Sequence, residues 1–450
     1  MRKFNNYSSV EIDSRKCNRK SIFVCIKNDY IDNTYYLNDA INRGATLIIS
    51  EHRIYVRAKV IYVKDIYPIF KKLLDYFYPY NLELIGVTGT DGKTSTCLMI
   101  QSLINQNSDC GYIGTNGIIY NLKKYNTINT TPDIITIRKH LSNMTKENIK
   151  YVVMECSSEG ILSNRLFSLS FDCLIYTNIT HEHLNTHKTM KNYIKTKFDL
   201  MSYLKRNGSV FVNADDKNLF KLKHKNIKTY GLSDCDCRGV NVKLFLDRIE
   251  FKYILNKSKN PLVIPFFGKY NVYNCLAAVL VLDKYNLLEN TNFMYMKKIS
   301  GRFELINTTT KQVVIDFAHT PNALENLLKN IKQITKKKIV LVLGSSGGKD
   351  KSKRPMLGSI ANHFCDKIII TSEDPKNESI VNIFHDLTKK IKKEYYLVLF
   401  RKDAIKLGLE LLDKDSILVI VGKGVENYEQ IYNIKFPHND YLYTKSLLNA

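Results

Sequence analysis

Eight consecutive residues, Thr88-Gly89-Thr90-Asp91-Gly92-Lys93-Thr94-Ser95, carry the clearest chemistry in this 450-residue chain. Glycines let a backbone fold its N–H groups around a phosphate, and a helix starting at the end of the loop adds partial positive charge there. Lys93 is placed to bridge terminal phosphates and Thr94 to hold a magnesium ion. Apolar runs flank the loop, Leu82–Thr88 reading as a strand and Thr96–Ile104 as a helix. The spacing departs from the usual phosphate loop. Four residues normally separate the first glycine from the Gly-Lys pair, and here only Thr90 and Asp91 intervene.

Several further segments follow in order: Asp13-Ser14-Arg15-Lys16, Asn129-Thr130-Thr131-Pro132-Asp133, Met154-Glu155-Cys156-Ser157-Ser158-Glu159-Gly160, Thr177 to Leu184, Tyr193-Ile194-Lys195-Thr196-Lys197, Gly268 to Asn274, Gly301-Arg302-Phe303-Glu304 and Asp316 to Pro321. With the shortened phosphate loop, this series resembles the Mur ligases, the cytoplasmic enzymes that build the peptide of peptidoglycan. The likeness runs over nearly the whole chain and is to the MurE type, which adds the third residue to UDP-N-acetylmuramoyl-L-alanyl-D-glutamate. It implies a three-domain α/β fold, with a central parallel-sheet ATPase domain and a C-terminal Rossmann-like, doubly wound domain.

The resemblance also implies roles. Gly89, Thr90, Asp91, Gly92, Lys93, Thr94 and Ser95 would bind ATP, with Asn271 on the adenine and Arg302 and Asp316 beside the nucleotide. Ser14, Arg15, Thr130, Thr131, Ser157, Ser158 and Arg165 would contact the UDP-linked substrate. Thr94, Glu155, His183 and a carbamylated Lys197 would hold Mg2+. A carboxylate and an imidazole at the ends of neighbouring strands can share a cation that neutralises phosphate charge. Lys93, Lys197, Arg302 and His319 would serve catalysis.

The incoming amino acid would meet Arg354, Glu373, Asp374, Lys376, Gly422 and Glu426. Arg354 would pair with the α-carboxylate as a planar fork, and Glu426 would accept from a distal ammonium. Glu373-Asp374-Pro375-Lys376 stands where diaminopimelate-adding enzymes resemble Asp-Asn-Pro-Arg. Lys376 keeps the positive charge but not the bidentate fork, and it favours a substrate with a distal carboxylate. The acids Glu373 and Asp374 favour a bare distal amine. Diaminopimelate is the expected substrate and L-lysine the alternative. Glu159 and Val425 replace histidines usual in the family, which leaves room for a paralogue acting on another carboxylate or for a folylpolyglutamate synthase-like ligase.

These residues need strands to carry them. Residues 1–84 alternate short apolar strands (Ser21–Ile26, Ala45–Ile49, Val60–Val63) with a helix at Tyr67–Phe77, and read as a small UDP-substrate-binding domain. Residues 85–300 read as the ATP-binding domain, with strands at Tyr151–Met154 and Cys173–Tyr176. Residues 301–450 restart the pattern with strands at Val313–Asp316, Ile339–Leu343, Lys367–Thr371, Tyr396–Phe400 and Ile417–Val421, the expected amino-acid-binding domain. Strands alternating with helices imply a mostly parallel sheet covered on both faces, with ligands beyond the carboxyl ends of the strands.

Composition bounds the remaining choices. Hydrophobic residues make up 44% and charged residues 24%, the profile of a globular chain of more than one domain. The net charge of +24 raises the prospect of a nucleic-acid-binding ATPase. The lysines are scattered, however, and clusters such as Lys336–Lys338 and Lys389–Lys393 read as solvated helix ends or loops. No basic face interleaved with stacking aromatics is visible, so no nucleic-acid partner is expected. Ten cysteines without metal-site spacing read as reduced, mostly buried thiols. The start of the chain lacks the apolar run of a signal peptide, and no stretch reaches membrane-spanning length. A cytoplasmic monomer without stable membrane association is the expectation.

Overall fold

The computed structural model describes residues 4–27, 32–182, 184–297, 303–424 and 426–448. Its first sheet holds four parallel strands in sequential order, β1 (Ser9–Glu11), β2 (Ser21–Val24), β3 (Ala45–Ser50) and β4 (Lys59–Tyr62). A short helix α1 (Leu37–Asn42) and a longer α2 (Ile66–Phe77) accompany it. The Asp65 side chain caps α2 by accepting from the Tyr67 N–H. Ile66, Phe70, Leu73 and Leu74 then recur at helical spacing and bury one stripe.

The second sheet has eleven strands. Its parallel centre runs β12 (Ile227–Gly231), β11 (Leu204–Asn213), β10 (Phe171–Tyr176), β5 (Glu83–Thr88), β9 (Tyr151–Glu155) and β6 (Cys110–Gly114). The wings are β7 (Gly117–Tyr120) and β8 (Lys123–Tyr125) on one side and β13 (Cys237–Leu244), β14 (Ile249–Leu255) and β15 (Ser258–Ile264) on the other, closed by antiparallel pairings. Helices α3 (Lys93–Ile104), α4 (Ile134–Lys146), α5 (Ser158–Leu162), α6 (Leu184–His187), α7 (Met190–Asp199) and α8 (Tyr270–Lys284) connect and cover these strands. The unbroken run Cys275–Leu282 of α8 is fully buried, and α8 packs on α3.

The third sheet, ordered β16 (Glu304–Asn307), β17 (Gln312–Asp316), β21 (Ser416–Val421), β18 (Lys338–Leu343), β19 (Lys367–Thr371) and β20 (Tyr395–Val398), is parallel except for β16. Around it lie α9 (Pro321–Thr335), α10 (Arg354–Phe364), α11 (Ile380–Thr388), α12 (Arg401–Glu410) and α13 (Asp440–Leu448), with a hairpin β22 (Tyr428–Ile431)–β23 (Ile434–Pro437) at one end. Thr320 caps α9, and Pro321 stands in its first turn, where a missing N–H costs nothing.

The α/β class and the alternation of strands with helices match the sequence reading. One helix start differs in a useful way. Gly92 caps α3, so Lys93, Thr94 and Ser95 form its first turn. The helix therefore opens on the phosphate loop and not three residues later. The antiparallel wings were not visible in the sequence, because short alternating strands joined by polar turns carry no helix between them to mark the boundaries. Nine of the ten cysteines are buried, and Cys235 is half-buried.

Candidate active site

The strand β5 ends at Thr88 between β10 and β9, so three strand exits meet: the phosphate loop, Thr177-Asn178 and Glu155-Cys156-Ser157. Gly89 has φ +151°, and a Cβ there would lie 1.8 Å from Thr177 Oγ1. No other residue fits that approach. The loop is braced from the β10 exit. Asn178 accepts from the Thr90 N–H at 2.8 Å and, through Oδ1, from the Asp91 N–H at 2.9 Å, while Thr177 Oγ1 donates to the Asp91 carbonyl at 2.7 Å. Lys93 Nζ donates to the carbonyls of Gly89 and Thr90, at 2.9 and 2.8 Å.

Glu155 is fully buried at the β9 exit. Its Oε2 accepts from Thr94 Oγ1 at 3.0 Å, and its Oε1 from Tyr112 Oη at 2.6 Å and the Thr115 N–H at 3.0 Å. Tyr112 and Thr115 carry no motif signal and were not foreseen. Lys197, on α7, is also buried and donates to the Gly89 carbonyl at 2.8 Å. Two ammonium groups thus converge on one carbonyl oxygen. Burial and the neighbouring Lys93 charge push the Lys197 ammonium well below the usual lysine range.

The expected muramoyl-side residues gather next to this centre. Thr131 Oγ1 donates to the Glu155 carbonyl at 2.9 Å and accepts from the Ser157 N–H at 2.9 Å, and Arg165 Nη1 donates to the Thr131 carbonyl at 3.0 Å. Thr130 Oγ1 lies 3.1 Å from Thr115 Oγ1, and Ser158 is buried in the first turn of α5. Ser14 and Arg15 sit on a 3-10 turn capped by Asp13, whose carboxylate holds the exposed Arg15 guanidinium at 2.8 Å. The adjacent Lys16 joins the two segments by an ion pair to Asp133 at 2.9 Å. An apolar cavity of about 70 Å³ nearby is lined by Ile12, Tyr67, Phe70, Phe167, Asp133 and Arg165 among others.

A cleft of about 1390 Å³ is lined by the phosphate loop from Thr90, by Thr130, Glu155, Ser157, Ser158, Arg165 and Lys197, and by Asn271, Asp316 and His319. Asn271 is turned inward. Its Nδ2 donates to the Phe267 carbonyl at 2.7 Å and its Oδ1 accepts from Asn274 at 2.9 Å. Asp316 accepts from the N–H groups of Phe303 and Ala318, and His319 Nδ1 lies 3.0 Å from the Phe317 carbonyl. The third sheet reaches the loop directly: Asp91 accepts from Asn322 Nδ2 at 3.0 Å and from Thr320 Oγ1 at 3.2 Å. His183 and Arg302 lie outside the described residues.

The residues expected to meet the amino acid already carry partners within the chain. Arg354 is not an open fork. It is fully buried, with Nη1 and Nη2 each donating to Glu378 at 2.8 Å and Nη1 also to Asp386 at 3.2 Å. Glu426, 30% exposed, already has an internal partner. The chain's own Lys423 donates to Glu426 at 2.7 Å and to Asp374 at 2.8 Å. Buried charges pair within the chain because leaving one unpaired costs several kcal/mol, about the size of a whole cap or cavity effect. Glu373 is buried as well, and accepts from Ser346 at 3.1 Å. Burial raises its pKa, against the pull of the Arg401, Lys423 and Lys353 charges. Gly422 has φ +112°, a left-handed backbone that favours glycine, and a Cβ there would also push on Glu373 Oε2, 1.9 Å away. Lys376 is half-buried, its backbone hydrogen-bonded to Gln430 of β22 and to Tyr432 in the turn after it.

A phosphate loop heading one parallel sheet, roofed by a second doubly wound unit, defines a nucleotide-dependent ligase of the acid–amino-acid class. Residues 87–282 match the Mur ligase middle domain, and residues 301–424 match the Mur ligase glutamate ligase domain. The chain is 33% identical over 452 residues to UDP-N-acetylmuramoyl-L-alanyl-D-glutamate–2,6-diaminopimelate ligase of Bacillus velezensis, covering 96% of this chain and 92% of that protein. It is 34% identical to the enzyme of the same name from Clostridioides difficile, covering 96% and 93%. A solved structure of a UDP-N-acetylmuramoyl-L-alanyl-D-glutamate–2,6-diaminopimelate ligase superposes with TM-score 0.70 at 27% identity, covering 98% of this chain and 95% of that one. This chain belongs to the Mur ligase family, whose members are ATP-dependent ligases. Among the described residues no helix is long and apolar enough to cross a membrane.

Proposed function

We propose that the chain forms the amide bond between UDP-N-acetylmuramoyl-L-alanyl-D-glutamate and meso-2,6-diaminopimelate, in preference to L-lysine, at the expense of ATP. The convergence of Lys93, Thr94, Glu155 and Lys197 on one phosphate loop carries this reading, and the relatives named above supply the substrate.

The reaction divides into two displacements. The substrate carboxylate oxygen attacks the γ-phosphorus of ATP, the bond to the bridging oxygen breaks, and ADP leaves. The amine of the incoming amino acid then attacks the acyl carbon, inorganic phosphate leaves, and the amine loses its proton. Phosphoryl transfer needs positioning and charge neutralisation more than covalent help. The N–H groups at the start of α3 and the Lys93 ammonium, which would turn from loop carbonyls to phosphate oxygens, supply both. Asp316 and Asn271 fix the loop ends that frame the nucleotide. Thr131, Ser157 and Arg165 orient the muramoyl side.

Magnesium suits this donor set, because the Thr94 hydroxyl and Glu155 carboxylate already share a hydrogen bond and hard cations take oxygen ligands. Phosphate oxygens of the bound nucleotide would add further hard oxygen ligands to such a cation. Thr94, Glu155, His183 and carbamylated Lys197 would hold Mg2+, which neutralises phosphate charge when bound.

The test is an amino-acid panel with ATP and UDP-N-acetylmuramoyl-L-alanyl-D-glutamate, reading amide product and ADP. Diaminopimelate should give the highest kcat/KM. L-lysine as the better substrate, or product only with a different carboxylate acceptor, would reject the assignment.

A further inference from the structure

The interface between the second and third sheets contains a buried ion pair that the mechanism above does not use. Lys353 Nζ lies 3.6 Å from Glu182 Oε1, and the two side chains are only 5% and 8% exposed. Glu182 Oε2 is buried without a hydrogen-bond partner. As glue this is poor design. A buried pair offsets its desolvation only with close geometry and every lone pair satisfied, so a loose pair adds little to stability.

Each partner is tied to a rigid frame. Glu182 ends the segment leaving β10, whose Thr177, Asn178 and Thr180 brace the phosphate loop; Thr180 donates its N–H to Thr90 Oγ1 at 2.9 Å. Lys353 immediately precedes Arg354, which is locked to Glu378 and Asp386. Its positive charge also acts on Glu373. The ammonium therefore touches a carboxylate of the phosphate-loop unit and acts electrostatically on one of the candidate amino-acid pocket.

We infer that Lys353 and Glu182 are positioning residues whose contact sets the register of the C-terminal unit on the phosphate loop, so that the amine is aligned with the activated carboxylate before water can reach it. This rests on the ligase reading above. Out of register, water takes the place of the amine at the acyl carbon, phosphate leaves, and the carboxylate is returned unligated.

The experiment compares the full-length wild type with Lys353→Met, Glu182→Gln and the double variant, measuring ADP released per amide formed and the separate KM values. Wild type should give a ratio of one. Each single variant should raise that ratio and lower kcat/KM for the amino acid about tenfold, with the KM for ATP within about twofold, and the double variant should be little worse than either single. Losses that multiply in the double variant, or ratios that stay at one, overturn the register role. A wild type that forms no amide overturns the ligase reading instead. If Lys353→Met does not melt cooperatively, Lys353→Arg decides: tight coupling in that variant sustains the proposal, and uncoupled turnover with a normal melt removes it.

Discussion

Lys197 shows what a single position can decide. Composition would make it a surface lysine; the fold buries it against the Gly89 carbonyl, next to a second ammonium. Desolvation and Lys93 both favour the neutral amine, and only a neutral amine can capture carbon dioxide. Labelled bicarbonate should therefore give a carbamate resonance in wild type that is missing from Lys197→Ala. Turnover by Lys197→Ala should fall by about 10²-fold or more and recover in part with added short carboxylates, since one anion can replace another beside phosphate-bound metal. Lys93→Ala should show no such rescue, because it lacks a cation and not an anion. A well-folded Lys197→Ala that no carboxylate restores would remove the carbamate from the mechanism.

At the scale of elements, the strands that carry the candidate amino-acid pocket are held by a group that no motif announced. Arg401, at the start of α12, is fully buried; it donates to the Val421 carbonyl at 2.8 Å and lies 3.5 Å from that of Ser372, at the exits of β21 and β19. Asp440 takes the guanidinium at 2.8 and 2.7 Å and also meets His438 Nε2 at 2.7 Å. Burial works against the Asp440 carboxylate, but the Arg401 charge and its hydrogen bonds outweigh it and hold the group well below the usual carboxylate range. A depressed acid stabilises the fold above its unfolded value of about 3.9, and that contribution is lost as pH falls through the lower folded value. Asp440→Asn should cost about 3–5 kcal/mol near pH 7 by stranding the Arg401 charge. Denaturant titrations should show the gap from wild type narrowing towards pH 3 and below. A gap that is small at neutral pH, or constant with pH, would mean the pair does not hold the strand ends.

The same residues show what the sequence made legible. Lys93 and Thr94 were readable because phosphate chemistry demands particular atoms at short, fixed spacing, whereas Glu155, 61 positions beyond Thr94, came only through the likeness of its segment to the Mur ligases. Strand runs such as Lys367–Thr371 were readable because burial on both faces leaves an unbroken apolar stretch. Arg401 and Asp440 lie 39 positions apart, and nothing local couples an arginine to an aspartate over that distance. The pairing of Arg354 with Glu378, and of Lys423 with Asp374 and Glu426, escaped for a related reason. A charged residue near a pocket looks like a ligand contact until the fold shows which internal charge it must neutralise.

Across the whole molecule, the cores do not divide as the sheets do. One apolar cluster joins Val10, Ile22, Ile49, Phe70 and Leu74 of the first sheet and its helix to Leu84, Ile113, Leu141, Met154 and Leu174 of the second, so residues 1–84 bury their apolar faces against the phosphate-loop unit. The third sheet has two clusters, one around Leu341, Ile370 and Val419 that Phe267 and Leu246 of the second unit join only at its edge, and one around Val342, Ile369 and Ile420 on the other face. A shared core unfolds as a unit, whereas units joined by a largely polar interface need not. Thermal unfolding should therefore show two transitions, with the first and second sheets melting together and the third separately. The chain contains no Trp, so a single Trp at Phe167 reports the shared core and one at Phe364 reports the third unit, each position being partly buried in its cluster. Nucleotide and muramoyl substrate, bound across the cleft, should raise both midpoints and draw them together by mass action on the native state. Coincident midpoints for the two reporters without ligand would mean that the contacts around Asp91, Thr320 and Lys353 couple the units more strongly than their polar character implies. A residue 85–450 fragment that stays soluble and melts cooperatively would show that the first sheet is dispensable to the core it shares.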